Sequence, residues 1–176
     1  MKGLIHVYTG DGKGKTTASA GIALRAAGQG MKVFFVQFQK AEDSGEIKML
    51  RNMNNVEVWC ICTFKKFFYY LNDSEKKSYI EEHAKAWEKL TETIKAEPSK
   101  YDVLILDEAL GAVSIGALDE HEILDFLKNK PEHLEVILNG RNASHDMMEA
   151  ADYVSDIRSI KHPFDQGLSA RKGIEY

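Results

Sequence analysis

The stretch Thr9-Gly10-Asp11-Gly12-Lys13-Gly14-Lys15-Thr16-Thr17 decides the fold of this 176-residue chain. It follows a short apolar run at residues 4–7 and precedes a small-residue stretch at 18–27 that predicts a helix. Strand, glycine-rich loop and helix, in this order, are the setting of a phosphate-binding loop. The glycines let successive backbone N–H groups point into one concavity, and the helix N-terminus adds partial positive charge. The stretch therefore predicts binding of nucleotide phosphates.

The charged and hydroxyl side chains of this loop indicate how it would hold a nucleotide. Lys13 and Lys15 bracket Gly14, so the loop can neutralise more negative charge than a single lysine could, and we predict both lysines to be catalytic. The Thr16 hydroxyl is placed to hold a magnesium ion. The usual pattern opens with glycine where this chain has Thr9, so the match fails at one position. A glycine-rich turn without a ligand is the alternative, but it does not explain the Gly-Lys-Thr ending.

Length and composition bound the class of protein. The chain is 44% hydrophobic and 28% charged, which is typical of one soluble globular domain, here residues 1–176. A net charge of −4 argues against a general affinity for nucleic acid, which favours basic surfaces. With no secretory signal and no apolar stretch of membrane-spanning length, we expect a cytoplasmic protein with no membrane partner. Cys60 and Cys62 are predicted to share one strand face as small buried residues.

Strand-like and helix-like segments alternate along the chain. After the first strand and helix, apolar runs predict strands at residues 31–38, 56–62, 103–106, 134–138 and 153–160. Helical patterns fall at residues 73–97, 120–128 and 144–151. Continuously apolar strands are covered on both faces, so the pattern predicts an α/β fold with a mostly parallel sheet and helices on both faces.

The longest predicted helix carries two further patterns. Asn72 and Glu75 have the spacing of a capping box, which would start the helix at residue 73. The apolar residues that recur at helical spacing predict its buried face, which would consist of Ile80, Ala84, Trp87, Leu90 and Ile94.

Two acids, Asp107 and Glu108, follow the most apolar of the predicted strands. Ligands of open α/β sheets bind at the carboxyl ends of the strands. Because the phosphate-binding loop is expected at the same edge, we predict that Thr16, Asp107 and Glu108 hold Mg²⁺ or Mn²⁺ or its water shell, without deciding which acid is nearer. The alternative is that two acids merely end a strand and face solvent.

Two arginines and an aromatic segment are further candidates for the site. Arg25 lies in the helix after the loop and either faces solvent or reaches back to the nucleotide. Arg141 follows the fifth predicted strand and is expected to pair with phosphate or a substrate carboxylate. Residues 63–70 contain the clustered aromatic residues Phe64, Phe67 and Phe68. The segment either packs on the core at the entry to the long helix or forms a mobile lid over a large flat ligand.

With these residues in place, the chain resembles the ATP:corrinoid adenosyltransferases, a P-loop family. The stretches that carry the resemblance are residues 9–17, Leu-Asp-Glu at 106–108, and a closing run at 161–165 and 172–176. It spans essentially the whole chain, and threonine at the first loop position is normal for the family. The resemblance implies a P-loop NTPase-like (RecA-like) fold in which residues 9–17, with Arg25 and Arg141, bind ATP.

The chain departs from the family in the segment before the long helix. The family usually carries a Gly-Phe-Thr-Trp-like segment there, with aromatic residues that contact the corrinoid. This chain has Thr63-Phe64-Lys65-Lys66-Phe67-Phe68 instead. We expect its phenylalanines to form a lid against the corrinoid, with Phe64 in contact with the ring. The asparagine usually found after the acid pair is replaced within residues 109–111, and the second glycine after Arg141 is Asn142.

The resemblance implies transfer of the 5′-deoxyadenosyl group of ATP to the cobalt of a reduced corrinoid, with release of triphosphate, in adenosylcobalamin biosynthesis or salvage. ATP and Mg²⁺ or Mn²⁺ would be the cofactors. The partners would be a corrinoid substrate, a reductase or flavin reductant, and a second copy in a homodimer. The loop and the acids alone leave two alternatives open: a phosphoryl-transferring NTPase or small-molecule kinase, and a non-catalytic ATP-binding regulator. The sequence also leaves open which corrinoid is the physiological acceptor.

Overall fold

The computed structural model describes residues 2–39 and 44–175. The strands within these residues are β1 (Ile5–Thr9), β2 (Val33–Gln37), β3 (Val56–Cys60), β4 (Val103–Asp107), β5 (Glu135–Asn139) and β6 (Tyr153–Asp156). The α-helices are α1 (Lys15–Gly28), α2 (Gly45–Leu50), α3 (Asp73–Ala96), α4 (Ala109–Ser114), α5 (Glu120–Asn129) and α6 (His145–Glu149). Short 3₁₀-helices lie at Phe68–Tyr70 and Pro163–Gln166.

The strands form one sheet in the order β3-β2-β4-β5-β1-β6, and every pairing between neighbours is parallel. Parallel register brings the carboxyl ends of the strands to one edge, where Gln37 stands opposite Asp107 and Tyr8 opposite Asn139. The predicted α/β fold with a parallel sheet is confirmed. The strand order also places β5 between the loop strand β1 and the acid-bearing strand β4.

Alternate residues of the strands enter two apolar clusters on opposite faces of the sheet. In β4, Leu104 and Leu106 join the cluster that contains residues of α3 and α5. Val103 and Ile105 join the cluster that contains residues of α1 and α2. Both β2 and β4 are buried at every position, because helices cover the two faces.

Most predicted elements lie near their predicted bounds. The capping box at the start of α3 is confirmed, because Glu75 N donates to Asn72 Oδ1 and Asn72 N donates to Glu75 Oε2. The sequence analysis did not predict the six-residue helices α2 and α4, because neither is long enough to show a helical repeat. Within residues 2–39 and 44–175, no helix combines the length and apolarity needed to cross a membrane.

The buried face of α3 differs from the predicted one. Ile80 and Ala84 are exposed, and the buried residues are Tyr79, His83, Trp87, Leu90 and Ile94. The prediction was wrong here because it counted apolar residues alone. His83 can be buried because Nδ1 lies 2.8 Å from Tyr79 O and Nε2 lies 2.7 Å from Phe38 O.

Two strands end earlier than predicted. β3 ends at Cys60, which packs against the α1/α2 cluster, whereas Cys62 lies beyond the strand within the α3/α5 cluster. The prediction that both cysteines share one face is therefore wrong, and burial raises the pKa of the Cys62 thiol. β6 ends at Asp156 rather than at residue 160, because the next residue, Ile157, turns toward the loop after β1 and accepts a hydrogen bond from Gly12 N at 2.7 Å.

Candidate functional site

The loop between β1 and α1 is a tight turn at the carboxyl edge of the sheet. Gly10 and Gly14 have φ angles of 96° and 117°, which favour glycine. A Cβ on Gly10 would clash with Asp156 Oδ1, and one on Gly12 would lie 2.7 Å from the carbonyl oxygen of Ile157. The segment that leaves β6 therefore packs directly on the loop backbone, and side chains at Gly10 and Gly12 would force it away.

The first residue of α1 places its ammonium group inside the loop. Lys15 is buried, and its Nζ donates to the carbonyl oxygens of Gly10 at 2.6 Å and Gly12 at 2.8 Å. These contacts hold a positive charge beside the backbone N–H groups of the loop. Together the ammonium and the helix N-terminus make the loop attractive to an anion.

Thr9 has a structural reason to replace the usual glycine. Its side chain is buried, and Ala143 N donates to Thr9 Oγ1 at 3.2 Å. This bond ties the loop to the segment that follows β5 and carries Arg141. Glycine has no hydroxyl that could accept this hydrogen bond. Threonine at position 9 therefore adds a connection between the loop and the segment that follows β5.

The loop opens onto a cavity of about 1010 Å³. Its wall includes the loop, the aromatic segment, Tyr79 of α3, the residues that follow β4, those that follow β5, and the closing run. The lining includes every residue from 11 to 17, together with Lys66, Phe67, Phe68, Tyr79, Glu108, Arg141, His162, Phe164 and Glu175. Pockets of about 300–1,000 Å³ hold drug-sized ligands, so this cavity has room for a large one.

Of the two predicted metal-binding acids, one faces the cavity and the other lies behind it. Asp107 is fully buried, and its oxygens accept hydrogen bonds from Gln37 Nε2 at 2.9 Å and Asn139 Nδ2 at 2.7 Å. Glu108 lines the cavity with Thr16 and has a left-handed φ of 59°. Such strained backbone is concentrated at functional sites. Glu108 therefore presents its carboxylate to the cavity, and Asp107 supports the edge from within.

The two candidate arginines lie in different places. Arg141 lines the cavity after β5. The preceding Gly140 has a φ of 143°, and a Cβ on it would lie 2.7 Å from Gly111 N. Arg25 is exposed on α1 and is not among the described residues that line the cavity. Because a helix rises about 1.5 Å per residue, Arg25 lies about 15 Å along the helix axis from Lys15. Of the two alternatives for Arg25, the structure agrees with the one in which it faces solvent.

The aromatic segment divides between the core and the cavity. Phe64 packs against the core with its ring 5.7 Å from that of Tyr79, and the part of the cavity wall that the structure describes does not include it. The structure does not bring Phe64 to the cavity, in contrast to the expectation. Phe67 and Phe68 do line it. Phe68 also packs on Tyr79, at 5.2 Å between rings, whereas Phe67 is 78% exposed and offers a free aromatic face.

The residues that the sequence analysis did not predict for the site include Tyr79, Asn139 and Glu175. Tyr79 lines the cavity from α3, and burial raises the pKa of its phenol far above the ordinary value, so the hydroxyl stays neutral. Asn139 could have been found as a polar residue at the carboxyl end of an apolar strand. No local pattern links Tyr79 or Glu175 to the loop.

An ion pair joins the closing run to the loop. Lys13 Nζ lies 3.2 Å from Glu175 Oε1, and Glu175 Oε2 accepts hydrogen bonds from Arg171 N at 2.8 Å and Arg171 Nε at 3.2 Å. These donors, with the Arg171 side chain as the strongest, lower the pKa of Glu175 to about 2. The carboxylate is therefore ionised near neutral pH and is an anionic partner for one of the two loop lysines.

The fold and the site together define a protein of the P-loop NTPase-like class. A glycine-rich loop after the first strand and an acid after β4, the buried strand on the far side of β5, meet at one edge of a parallel sheet. The family described as ATP:corrinoid adenosyltransferase BtuR/CobO/CobP matches residues 1–176, and the chain belongs to it. This family consists of transferases whose substrates are ATP and a corrinoid.

Individual relatives agree with the family. A corrinoid adenosyltransferase of Sinorhizobium is 37% identical over 99% of this chain and 81% of the relative. The corrinoid adenosyltransferases of Escherichia coli and Salmonella typhimurium are 36% and 35% identical over 99% of this chain and 86% of each relative. The resemblance inferred from the motifs is confirmed, and adenosyl transfer is favoured over phosphoryl transfer.

Removing the charge of Glu175 should strengthen nucleotide binding. If Lys13 binds the phosphates as predicted, ATP competes with this carboxylate in the wild type, and exposed ion pairs of this kind contribute about 0.2–1 kcal/mol. We expect the Glu175→Gln variant to bind ATP about 1.4- to fivefold more tightly, as measured by isothermal titration calorimetry. The matched control is Glu149→Gln, an exposed glutamate 4.0 Å from His145, which should bind ATP like the wild type. Unchanged or weaker binding by Glu175→Gln would contradict the competition.

Proposed function

We propose that this chain transfers the 5′-deoxyadenosyl group of ATP to the cobalt of a reduced corrinoid and releases intact triphosphate. One observation carries the proposal: the phosphate-binding loop and the exposed aromatic ring of Phe67 line the same cavity of about 1010 Å³. A phosphate-binding loop suits ATP, and an aromatic wall suits a large flat macrocycle. The relatives are named corrinoid adenosyltransferases, and the family description names both ATP and a corrinoid.

The proposed reaction explains why positive charge is concentrated in the loop. The cobalt(I) corrinoid attacks the 5′ carbon of ATP, a cobalt–carbon bond forms, and the carbon–oxygen bond to the phosphate breaks. The electron pair of that bond leaves with triphosphate, and cobalt becomes cobalt(III). The nucleophile has no proton to lose, so the reaction needs no general base. Lys13, Lys15 and the loop N–H groups would stabilise the negative charge that develops on the triphosphate.

The residues around the loop fit a magnesium or manganese ion that arrives with ATP. Mg²⁺ prefers oxygen ligands and is usually bound through one or two carboxylates together with phosphates. The Thr16 hydroxyl and the Glu108 carboxylate line one cavity and would hold the ion, with Asp107 behind them. Within the described part of the chain, no group of three or more His, Cys, Asp or Glu residues could hold a metal by itself. When bound, the ion would neutralise part of the charge on the triphosphate.

The remaining parts of the proposal concern partners. Phe67 and Phe68 would form the wall against the corrinoid, and Arg141 would pair with a phosphate or with a polar side chain of the corrinoid. A reductase or flavin would supply the electrons that produce cobalt(I). We further propose a homodimer, as the family resemblance implies, and a cytoplasmic protein in which residues 1–176 form one domain, as length and composition predict.

Product identification tests the proposed function. The wild-type protein is incubated with ATP, Mg²⁺ and a chemically reduced corrinoid, and the products are analysed by mass spectrometry. We expect an adenosylated corrinoid and triphosphate in equal amounts. The control lacks the corrinoid and should yield neither product. Formation of ADP and phosphate instead would identify a phosphoryl-transfer enzyme and contradict the proposal.

Replacing Lys15 should reduce the reaction rate strongly. The Lys15→Ala variant removes a buried ammonium group from the loop that would receive the developing charge. Loss of one such group commonly costs about 2.7–4 kcal/mol in the transition state, so we expect kcat to fall at least about a hundredfold. Lys77→Ala, at an exposed position of α3, is the matched control and should keep normal turnover. Near-normal turnover of a folded Lys15→Ala variant would place the phosphates elsewhere.

Replacing Phe67 should affect one form of the corrinoid more than the other. A cobalt(II) corrinoid resists reduction while an axial ligand remains bound, and an apolar wall against the ring would favour loss of that ligand. We expect Phe67→Ala to slow the reaction from cobalt(II) with a weak reductant by roughly tenfold, about the contribution of one aromatic contact. The reaction from cobalt(I) reduced in advance should change much less.

Two comparisons make this measurement specific. Tyr70→Ala removes another exposed aromatic residue, which is not among the described residues of the cavity wall, and should behave like the wild type. Phe64→Ala should lower the melting temperature rather than select between the two cobalt states, because Phe64 packs on the core. Equal losses from cobalt(II) and cobalt(I) for Phe67→Ala would rule out a role in ligand removal.

A further inference from the structure

Asn139, the last residue of β5, connects three elements around the site. Its side chain is fully buried. Nδ2 donates to Asp107 Oδ1 at 2.7 Å and to Ser19 Oγ at 2.8 Å, and Oδ1 accepts a hydrogen bond from Glu108 N at 2.9 Å. One carboxamide thus joins the end of β4, the first residue after it, and helix α1.

The contact with Glu108 acts on a strained part of the backbone. Glu108 has φ 59° and ψ 20°, and among the described residues only Asn142 shares a positive φ without being glycine. This left-handed conformation is unfavourable for a residue other than glycine, and it persists only where the surrounding structure stabilises it. Asn139 Oδ1 holds the Glu108 N–H in place, so the direction of the Glu108 side chain into the cavity depends on it.

The contact with Ser19 ties the acid to the phosphate-binding loop. Ser19 is fully buried one turn after Lys15 in α1, and the same turn carries Thr16. A hydrogen bond from Asn139 to Ser19 therefore fixes the distance between the start of α1 and the acid pair. Asp107 has its other oxygen bound to Gln37 Nε2, so the buried carboxylate cannot turn to compensate if Asn139 is lost.

We infer that Asn139 is a positioning residue that fixes the position of Glu108 relative to the start of α1, so that Glu108 and the phosphate-binding loop face the same ligand. This inference rests on the proposed function for the role of Glu108 in binding ATP and its metal ion. The hydrogen bonds and the backbone conformation that carry it are independent of that role.

The main test replaces the two N–H donors of Asn139 without changing its size. In Asn139→Asp one oxygen can still accept the hydrogen bond from Glu108 N, but the N–H donors to Asp107 Oδ1 and Ser19 Oγ are lost. The variant therefore weakens the connection between the end of β4 and α1 while it keeps an acceptor for Glu108 N.

We therefore expect Asn139→Asp to raise the KM for ATP roughly tenfold at a fixed Mg²⁺ concentration and to change the KM for the corrinoid by less than about threefold. The matched control is Asn129→Asp. The exposed Asn129 also donates to an aspartate, Asp125 at 2.9 Å, so the same substitution is made away from the cavity and should leave both KM values unchanged.

A second measurement does not depend on activity. In Asn139→Ala the Glu108 N–H loses its acceptor, and its hydrogen exchange should accelerate by roughly tenfold or more, read by mass spectrometry on peptides that span residues 106–112. Thermal unfolding verifies that each variant is folded. If Asn139→Ala does not fold, the comparison of the KM values of Asn139→Asp and Asn129→Asp decides the inference.

The two kinds of failure can be separated. If the wild type makes no adenosylated corrinoid, the proposed function fails, and the exchange of Glu108 still decides the role of Asn139. If the wild type is active but Asn139→Asp leaves the KM for ATP unchanged or raises both KM values equally, or if the Glu108 N–H of Asn139→Ala exchanges at the wild-type rate, Asn139 has only a general packing role and the inference is overturned.

Discussion

The buried carboxylate of Asp107 is the constraint on which the functional edge of the sheet depends. A buried carboxyl group is stable only when it is hydrogen-bonded, and here the donors are Gln37 at the end of β2 and Asn139 at the end of β5. Both belong to the strands that flank β4. The carboxyl group of Asp107 therefore links the carboxyl ends of three neighbouring strands. Glu108, the next residue, lines the cavity.

The two loop lysines differ in how they are held, and the difference suits a site for a highly charged ligand. Lys15 is buried and bound to carbonyl oxygens of its own loop, so its charge is fixed in place before a ligand arrives. Lys13 is more exposed and pairs with a carboxylate of the closing run. In the proposed reaction, a fixed charge would stabilise the developing anion, whereas an exchangeable ion pair would couple the closing run to the occupancy of the loop.

Two kinds of surface meet in one cavity because distant segments converge on the sheet edge. The polar side comes from the loop, Glu108 and Arg141, and the aromatic side from Phe67, Phe68 and Tyr79. The sheet supplies the polar side directly, since loops that follow parallel strands share an edge. The aromatic side depends on the packing of Phe68 on Tyr79 in α3, which leaves the Phe67 ring exposed beside the loop.

The sequence by itself determined the features that depend on neighbours in the chain: the loop at residues 9–17, the apolar run of β4 with its acids, the capping box of α3, and from these the parallel α/β fold and the family. Tertiary structure alone decided that His83 is buried, that Phe64 packs in the core, and that Glu108 faces the cavity. Contacts between residues far apart in the sequence also depend on the tertiary structure. Lys13 and Glu175 have a sequence separation of 162, and Ser19 and Asn139 have one of 120. The physical reason is that local patterns encode propensity and periodicity, whereas hydrogen bonds and ion pairs between distant residues exist only once the sheet has brought the segments together.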